Sequence, residues 1–589
     1  MGKQNFQSDR DAISSTGAVS LNTSPYDYSQ RTKLLTMLGV LLVMFLSSLD
    51  STIVSTAMPS IIADLHGFDR YTWASTAYLL TSTVTVPIYG KLSDQLGRKP
   101  VFIFGLILFL LGSALSGFSQ SMDQLIGFRA FQGIGAGALL SLAIAIVGDL
   151  FTPRERGKWQ GATGSVFGIS AIVGPLVGGW LTQYVSWHWV FYVNLPIGLI
   201  ALLVLIFVMP PIAASSRRTT IDYLGALLLI LGFVPLLLAF SLGGSDFAWL
   251  SPQIIAMLAF AVIFLLGFVW YEARLSSRAG EPILDPVLFK NRIFSISTVI
   301  TMVTNMALYG SVFFVPLYMQ GVLGLTATGS GATLTPLMLA SVCTSILAGQ
   351  LVSRSGRYKW AVISGAILAL LGQGLLVLLN IHSSSQQVFV AMIVLGLGLG
   401  SSMSLYSLIV QNALPTRIGQ ASAALIFFRS IGGTLALGLM GSVLNATYLP
   451  SFSQHIPAAA RTVLPANLAP FNNPEVLLST DALSKAEGLF ASQGPQGQDL
   501  FNQIITAVKG GLIQGIHNGF MISLILLIVG LVLVFWLPEI PLWGEHARLL
   551  KEVSPMNDAT SDLSSTRSSF IKQRDGSSQQ ENRENFNAG

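Results

Sequence analysis

Three charged side chains stand inside otherwise apolar stretches, Asp50, Arg129 and Arg429, and a fourth, Asp149, stands at the end of one. A charge at the centre of a membrane helix costs at least about 2.5–3.5 kcal/mol, so it normally faces a partner or a wet cavity. The chemistry these residue types offer is ion pairing and proton exchange. A carboxylate that gains a proton releases its guanidinium and favours another conformation. A permanent structural ion pair is the simpler alternative. Arg429, in "FFRSIGG", lacks an obvious acidic partner in the C-terminal half. It either attracts an anionic or polar group of a ligand or binds helix carbonyls. Metal and thiol chemistry find little support, because the chain has six His and one Cys, Cys343, inside an apolar run. No His, Cys or Ser–His constellation stands out near a membrane face, so an enzyme is not expected.

The elements that must position these residues are membrane spans. Of the 589 residues 52% are hydrophobic and only 10% charged, against about 25% charged in soluble domains. A helix crossing roughly 30 Å of hydrocarbon needs about 20 apolar residues. Fourteen runs qualify: 36–57, 72–89, 101–118, 124–149, 158–183, 189–210, 223–242, 253–271, 293–319, 329–352, 359–380, 387–413, 421–448 and 518–537. With the N-terminus inside, 26 Lys and Arg fall on inner segments and four (Arg70, Arg461, Lys485 and Lys509) on outer ones. That bias sets both termini in the cytosol. Asp50 then lies about two-thirds of the way outward along its run, and Arg129 near the outer end of its own, at similar depth. The two are expected to pair.

The remaining segments are polar. Residues 1–33 hold no apolar core for a cleavable signal, so the first run is read as an anchor that stays. Both 1–33 and 541–589 are expected to be disordered and cytosolic. An outer loop spans about 449–517, and its amphipathic pieces "DALSKAEGLFASQ" and "QDLFNQIITAVKGGLIQGIHNG" are expected either to lie on the membrane surface or to form a solvated linker. An N-x-T sequon at Asn445 faces outward close to the membrane, a candidate glycosylation site. The net charge of +5 is spread over short inner loops, so no nucleic-acid partner is expected.

The chain repeats. "GKLSDQLGRKP" after the second run and "GQLVSRSGRYK" after the tenth align at an offset of 259 residues, bringing Gly90, Gly97 and Arg98 onto Gly349, Gly356 and Arg357. The same offset brings Gly174 onto Gly433. Runs 1–6 (34–210) and 9–14 (293–540) are therefore parallel halves, with two inserted spans in 211–292. Gly90 and Gly97 are expected to allow tight packing and a turn with φ > 0. Asp94, Arg98 and Lys99, with Asp149 as a partner for Arg98, offer ion pairs that form in one conformation and break in another. A solvated loop is the alternative. Ser353 replaces the Asp in the second copy, so the gate is expected to be asymmetric. Gly133 and Gly137, like Gly174 and Gly178, are four apart and suit close helix packing in lipid. "GIGAGA" also fits a loose dinucleotide pattern, but it lies in one long apolar run rather than a strand–turn–helix.

These stretches resemble the major facilitator superfamily, and within it the fourteen-span drug:proton antiporters in the form of fungal efflux pumps. "LDSTIVSTAMP" (49–59), "GKLSDQLGRKP" (90–100), "RAFQGIGAG" (129–137), "GPLVGGWL" (174–181) and "WHWVFYVNLPIG" (187–198) carry the resemblance, which covers about 34–540. It departs at His188, where Arg is usual, and at Ser170, which replaces a glycine. It implies an all-α membrane protein of fourteen transmembrane helices: two parallel six-helix bundles plus two inserted helices. It implies that Gly174, Pro175, Gly178 and Gly179 form the antiporter motif of an exporter. The expected function is proton-coupled efflux of small amphipathic organic compounds, such as drugs or a fungal secondary metabolite or toxin, by alternating access. Asp50 with Arg129 is the expected proton-coupling centre. Tyr78, Gln132, Asn305, Tyr309, Tyr406, Phe428 and Arg429 lie on runs that should line the central cavity. The expected partners are an organic substrate, protons and the bilayer, with a proton gradient in place of a cofactor, a monomeric state and a plasma-membrane location; vacuolar or vesicular membranes are the alternatives. An importer or exchanger of a siderophore or amino acid, and a non-transport nutrient sensor, are the rival readings. ATP-driven transport lacks its phosphate-binding loop.

Overall fold

The computed structural model describes residues 28–540 except 152, 212–221, 245, 278–281, 457–467 and 492–493. The terminal segments expected to be disordered, but for residues 28–33, lie outside the described residues. So does Arg461. The described chain is helical. Its N-terminal half comprises α1 (Gln30–Leu65), α2 (Trp73–Leu96), α3 (Arg98–Gly117), α4 (Met122–Leu150), α5 (Pro153–Tyr184) and α6 (Asn194–Phe207), the last preceded by a turn of helix, Trp189–Tyr192. The inserted pair is α7 (Tyr223–Leu242) and α8 (Pro252–Ser277). The C-terminal half comprises α9 (Arg292–Leu317), α10 (Ala327–Ser355), α11 (Lys359–Val377), α12 (Ser385–Ala413), α13 (Ile418–His455) and α15 (Gly494–Phe535), with α14 (Thr480–Ala491) between the last two.

Each expected run lies on a helix. Among the described residues thirteen helical spans are long and apolar enough to cross a membrane. The run at 72–89 falls on α2, 24 residues long but rich in Ser and Thr. Several of its hydroxyls are spent on carbonyls: Thr81 donates to Ala77 and to Ala130 of α4 (3.0 and 2.8 Å), and Thr85 to Thr81 (2.8 Å); those of Ser75, Thr76 and Thr83 are buried without a partner among the described residues. Hydroxyls satisfied in this way suit a helix that packs inside a bundle.

Glycines set the approach of the helices. In lipid no hydrophobic force drives helices together, so close backbone contact matters more. Gly133 and Gly137 of α4 face Tyr78–Thr85 of α2, and Gly135, on the other side of α4, abuts the backbone of Gly105 and Phe109 of α3. The second half repeats this. Gly396 and Gly400 of α12 face α10, and Gly398 abuts Gly365 and Ala369 of α11. The sequence repeat is thus a packing repeat, and the turns after α2 and α10 share a positive φ, 88° at Gly97 and 70° at Gly356.

The halves meet at the end opposite these turns. Tyr71 Oη donates to Phe313 O (2.7 Å), Gln320 Nε2 to Thr56 O (3.3 Å) and Thr328 N to Gln183 Oε1 (3.3 Å). Gly179 packs on Ala327, Gly331 on the Pro175 carbonyl and Gly441 on Thr72. At the turn end, Gly90 of α2, Gly164 of α5, Gly349 of α10 and Gly419 of α13 have open space where a Cβ would stand. These contacts between the halves thus lie at one end, and the four glycines at the other end meet no neighbour. Gly90 does not serve tight packing here, which corrects the sequence expectation.

The long loop also differs from expectation. "QDLFNQIITAVKGGLIQGIHNG" is no separate surface helix; it is the first part of α15, 42 residues or about 63 Å long, far more than the hydrocarbon requires. The α13 helix likewise runs on to His455. These extensions and α14 enclose a small core of Phe471, Phe490 and Phe501, with ring centroids 6.0–6.2 Å apart. The cap is latched to α1 by His66 Nδ1 and Glu475 Oε1, 2.5 Å apart. Burial pushes the Glu475 carboxyl up, against the opposing pull of His66. A packed cap replaces both the surface-helix and the linker expectation.

Gly135→Val should destabilise the protein by about 1–3 kcal/mol through overpacking, while Gly164→Ala, which meets open space, should leave stability unchanged or slightly raised. Melting temperatures of the two variants in detergent check this.

Candidate functional site

Asp50 sits on α1, fully buried, and Arg129 on α4 is 1% exposed. Arg129 Nη1 donates to Asp50 Oδ2 at 2.7 Å, the pair expected from sequence. Two amides complete the carboxylate's shell: Gln132 Nε2 and Asn194 Nδ2 each donate to Oδ1 at 2.9 Å. Arg129 Nη1 also donates to Gln132 Oε1 (2.8 Å), and Asn194 Nδ2 to Ser113 Oγ of α3 (3.0 Å). The guanidinium stacks 4.0 Å from the Tyr78 ring centroid and 5.7 Å from that of Phe191. The carboxylate on α1 thus takes its donors from α4 and α6, with Ser113 of α3 and Tyr78 of α2 behind them. An ion pair removed from water is tolerated when further hydrogen bonds satisfy both partners, and Asp50 has three donors. Arg129 Nε and Asn194 Oδ1 remain without a hydrogen bond.

Sequence reasoning missed Asn194 and Ser113. Asn194 was visible as a lone amide between "WVFYV" and "LPIG", but an uncharged residue at a helix start reads as an ordinary cap.

The loop motif is an ion-pair cluster. Arg98 Nη1 meets Asp94 Oδ1 at 2.7 Å and Ser93 Oγ at 2.5 Å, and Arg98 Nε meets Asp149 Oδ2 at 2.8 Å. Lys99 takes no part in it. Its Nζ donates to Ile206 O (2.8 Å) in the last turn of α6 and to Met209 O (2.6 Å) just beyond it. That corrects its expected place among the gating pairs. In the second copy Arg357 is exposed and makes no ion pair among the described residues, in keeping with the loss of the Asp; the Ser353 side chain lies outside the described residues.

The fifth-span motif has two working faces. Gly174 and Gly178 press on Thr52, Ile53 and Thr56 of α1, inside the N-terminal half. Pro175 and Gly179 press on Gly331 and Ala327 of α10, across the seam between halves. Ser170, in place of glycine, hydrogen-bonds Ser48 through their hydroxyls (2.6 Å) and receives Thr52 Oγ1 on its carbonyl (3.3 Å). At the sixth-span departure, His188 stacks on Trp187 with centroids 3.7 Å apart.

The expected cavity residues separate into groups. Tyr78 and Gln132 belong to the Asp50 centre. Asn305 and Arg429 line a small cavity of about 10 Å³ with Thr301, Thr304, Ser402 and Met403. Asn305 Nδ2 donates to the Arg429 carbonyl at 2.6 Å. Tyr309 stacks on Phe313 and covers Gly433. Two candidates are corrected. Tyr406 is 1% exposed in a core with Leu405, Ile409 and Phe294. Phe428 packs edge-on with Phe289 and Phe427 (5.6 and 5.4 Å), in the cluster that seats α7. Asn445 stands inside the continuous α13 with its Nδ2 donating to Asp69 O at 2.5 Å. A glycan attaches at that nitrogen, so attachment there has to break this bond. A recess of about 500 Å³ lies between Asn380 and the extension of α15, near His455 and His517. It holds no carboxylate or guanidinium, so the chemistry is placed at Asp50 instead.

Comparison with known proteins agrees with this architecture. The Major Facilitator Superfamily model matches residues 40–437. The chain is 39% identical over 535 residues to the multidrug transporter protein MdtP of Bacillus subtilis, covering 88% of this chain and 95% of that one. It is 31% identical over 517 residues to the efflux pump FUS6 of Gibberella fujikuroi, covering 87% and 90%. Among solved structures it resembles a bacterial homologue of the human lysosomal transporter Spinster in an inward-facing, occupied conformation, with TM-score 0.57 and 14% identity, covering 87% of this chain and 97% of that one. That likeness concerns the fold.

Arg129→Leu should leave Asp50 buried without its cation and destabilise the protein by about 3–5 kcal/mol. Asp50→Asn combined with Arg129→Leu should recover much of that loss. Thermal unfolding in detergent of the single and double variants measures the coupling.

Proposed function

The chain belongs to the Major Facilitator Superfamily, and from that membership we propose a proton-coupled exporter of small amphipathic organic compounds. The observation that carries the reading is the Asp50 centre. A sealed carboxylate joins α1 to α4 and α6 through Arg129, Gln132 and Asn194. Protonation of Asp50 would cancel the charge that holds Arg129 and loosen α1 from both neighbours. Relatives named multidrug transporter and efflux pump support the direction, as does a Gly-Pro seam at the meeting of the halves.

The excess of basic residues on the turn end supports reading that end as cytosolic. The described conformer is then read as closed outward and open inward, ready to load from the cytosol. Alternating access follows by rocking. The outer seam of Gly179, Gly331 and Gly441 opens, and Gly90, Gly164, Gly349 and Gly419 supply the close approach at the inner end. Arg98 with Asp94 and Asp149 is the cluster that biases the two states. We place the protein in the plasma membrane as a monomer.

Asp50→Asn, whose amide oxygen still accepts a hydrogen bond from Arg129, should leave expression largely intact yet abolish proton-driven uptake of a fluorescent amphipathic dye into inside-out vesicles. Near-normal uptake would remove Asp50 from coupling, and uptake confined to right-side-out vesicles would reverse the direction. Arg98→Ala should reduce turnover by about tenfold, about 1.4 kcal/mol of barrier, with dye affinity unchanged. A loss of affinity with turnover intact would count against a gating role.

A further inference from the structure

The two halves treat their intramembrane cations differently. Arg129 is neutralised inside its own half by Asp50. Arg429 stands about three turns into α13 and has neither an ion pair nor a side-chain hydrogen bond among the described residues; its electrostatic neighbour is the Tyr309 phenol. The repeat explains how this came about. The offset that carries Gly174 onto Gly433 also carries Ser170 onto Arg429 and Asp50 onto Tyr309. The second half thus gains a cation where the first has a serine, and loses the carboxylate that would answer it.

The surroundings of Arg429 are built for a polar group. The small cavity beside it is lined by Thr301, Thr304, Asn305, Ser402 and Met403. The two threonine hydroxyls are spent on carbonyls of their own helix, at 2.7 and 3.0 Å. The Asn305 amide nitrogen is spent on the Arg429 carbonyl. What remains to donate is the guanidinium and the Ser402 hydroxyl, which makes no hydrogen bond among the described residues. Donors without an acceptor, at a cation without a counter-ion, call for an anion. The planar guanidinium fork matches a carboxylate. Met403 is 40% exposed and flexible, so it can move aside for a group larger than the present space.

We propose that Arg429 binds the acidic group of the cargo, so that the transported compounds are amphipathic organic carboxylates. The proposal rests on the exporter reading and names its substrate class. It also gives the cargo a line to the proton centre. Tyr309 lies within electrostatic range of Arg429 on one side and of Tyr78 on the other, and Tyr78 stacks on Arg129. An anion at Arg429 is therefore separated from the Asp50 centre by two tyrosines.

A matched pair of probes tests this: naphthalene-1-acetate and neutral naphthalene-1-acetamide, titrated into purified protein by calorimetry. Wild type should bind the acid about tenfold more tightly than the amide. Arg429→Gln should erase that gap while binding the amide as before, and Arg429→Lys should keep part of it. Ser402→Ala, a milder change, should narrow the gap about threefold. A wild-type gap below twofold, a gap that Arg429→Gln leaves intact, or binding of neither probe overturns the proposal. The same pair in inside-out vesicles separates the two readings. Proton-driven uptake without preference for the acid sinks the anion site and spares export. Acid-selective binding without proton-driven uptake spares the site and sinks export.

Discussion

Everything in the N-terminal half is arranged around one carboxylate that cannot reach water. Moving a carboxylate and a guanidinium out of water costs several kcal/mol each, and their attraction offsets this only with good geometry and further hydrogen bonds. Asp50 meets both conditions through Arg129, Gln132 and Asn194. Those donors dictate the architecture. Arg129 and Gln132 are one turn apart, so α4 must present that face to α1. Asn194 must begin α6 at the same depth, and the backbone allows this by ending the Trp189–Tyr192 turn and restarting at Asn194. Ser113 of α3 fixes the arrangement from behind, bonding both Asn194 and the Phe191 carbonyl.

The glycines divide the helices into parts that stay together and parts that move. Within each half, α4 and α12 sit between two neighbours at backbone contact, through Gly133, Gly135 and Gly137 in one and Gly396, Gly398 and Gly400 in the other. Packing this close tolerates no sliding, so each half is a rigid body. Between halves, the seam carries glycines on α2, α5, α10 and α13. They are occupied at one end and vacant at the other. A surface that is complementary at either end but not at both ends together is what a rocking pair of rigid bodies requires.

Much of this was legible in the sequence because membranes restrict it. Backbone polar groups in lipid must be satisfied within helices, so apolar runs and basic loops locate the spans, and a charge inside a run marks a site. The pairing of Asp50 with Arg129 and of Arg98 with Asp149 followed from depth and sign alone. Which way a side chain faces did not follow. Tyr406 and Phe428 occupy cavity-lining runs but turn into packed clusters, and aromatic character is the same in both settings. Lys99 looked like a member of a charge cluster, and only the position of the α6 terminus shows it closing carbonyls. The cap escaped because 494–517 is amphipathic. Such a pattern suits a membrane surface, a linker or a helix packed on partners, and the partners lie at Phe471 and Phe490.

The departure from symmetry gives the scaffold its direction. Two identical halves rocking about a seam would pass cargo either way with no link to a gradient. Here the first half holds a cation–carboxylate pair, Arg129 with Asp50, and the second holds Arg429, which has no ion pair among the described residues. On the proposed mechanism a proton alone switches the first half, because loss of the Asp50 charge would set Arg129 free. A half with an uncancelled cation responds to whatever supplies the missing anion. On the same proposal, protonation acts in the first half and binding in the second, and Tyr78 and Tyr309, in electrostatic range of each other, stand between them. Each event changes the field felt by the other cation across a medium that screens poorly, so the two need not share an atom to be coupled.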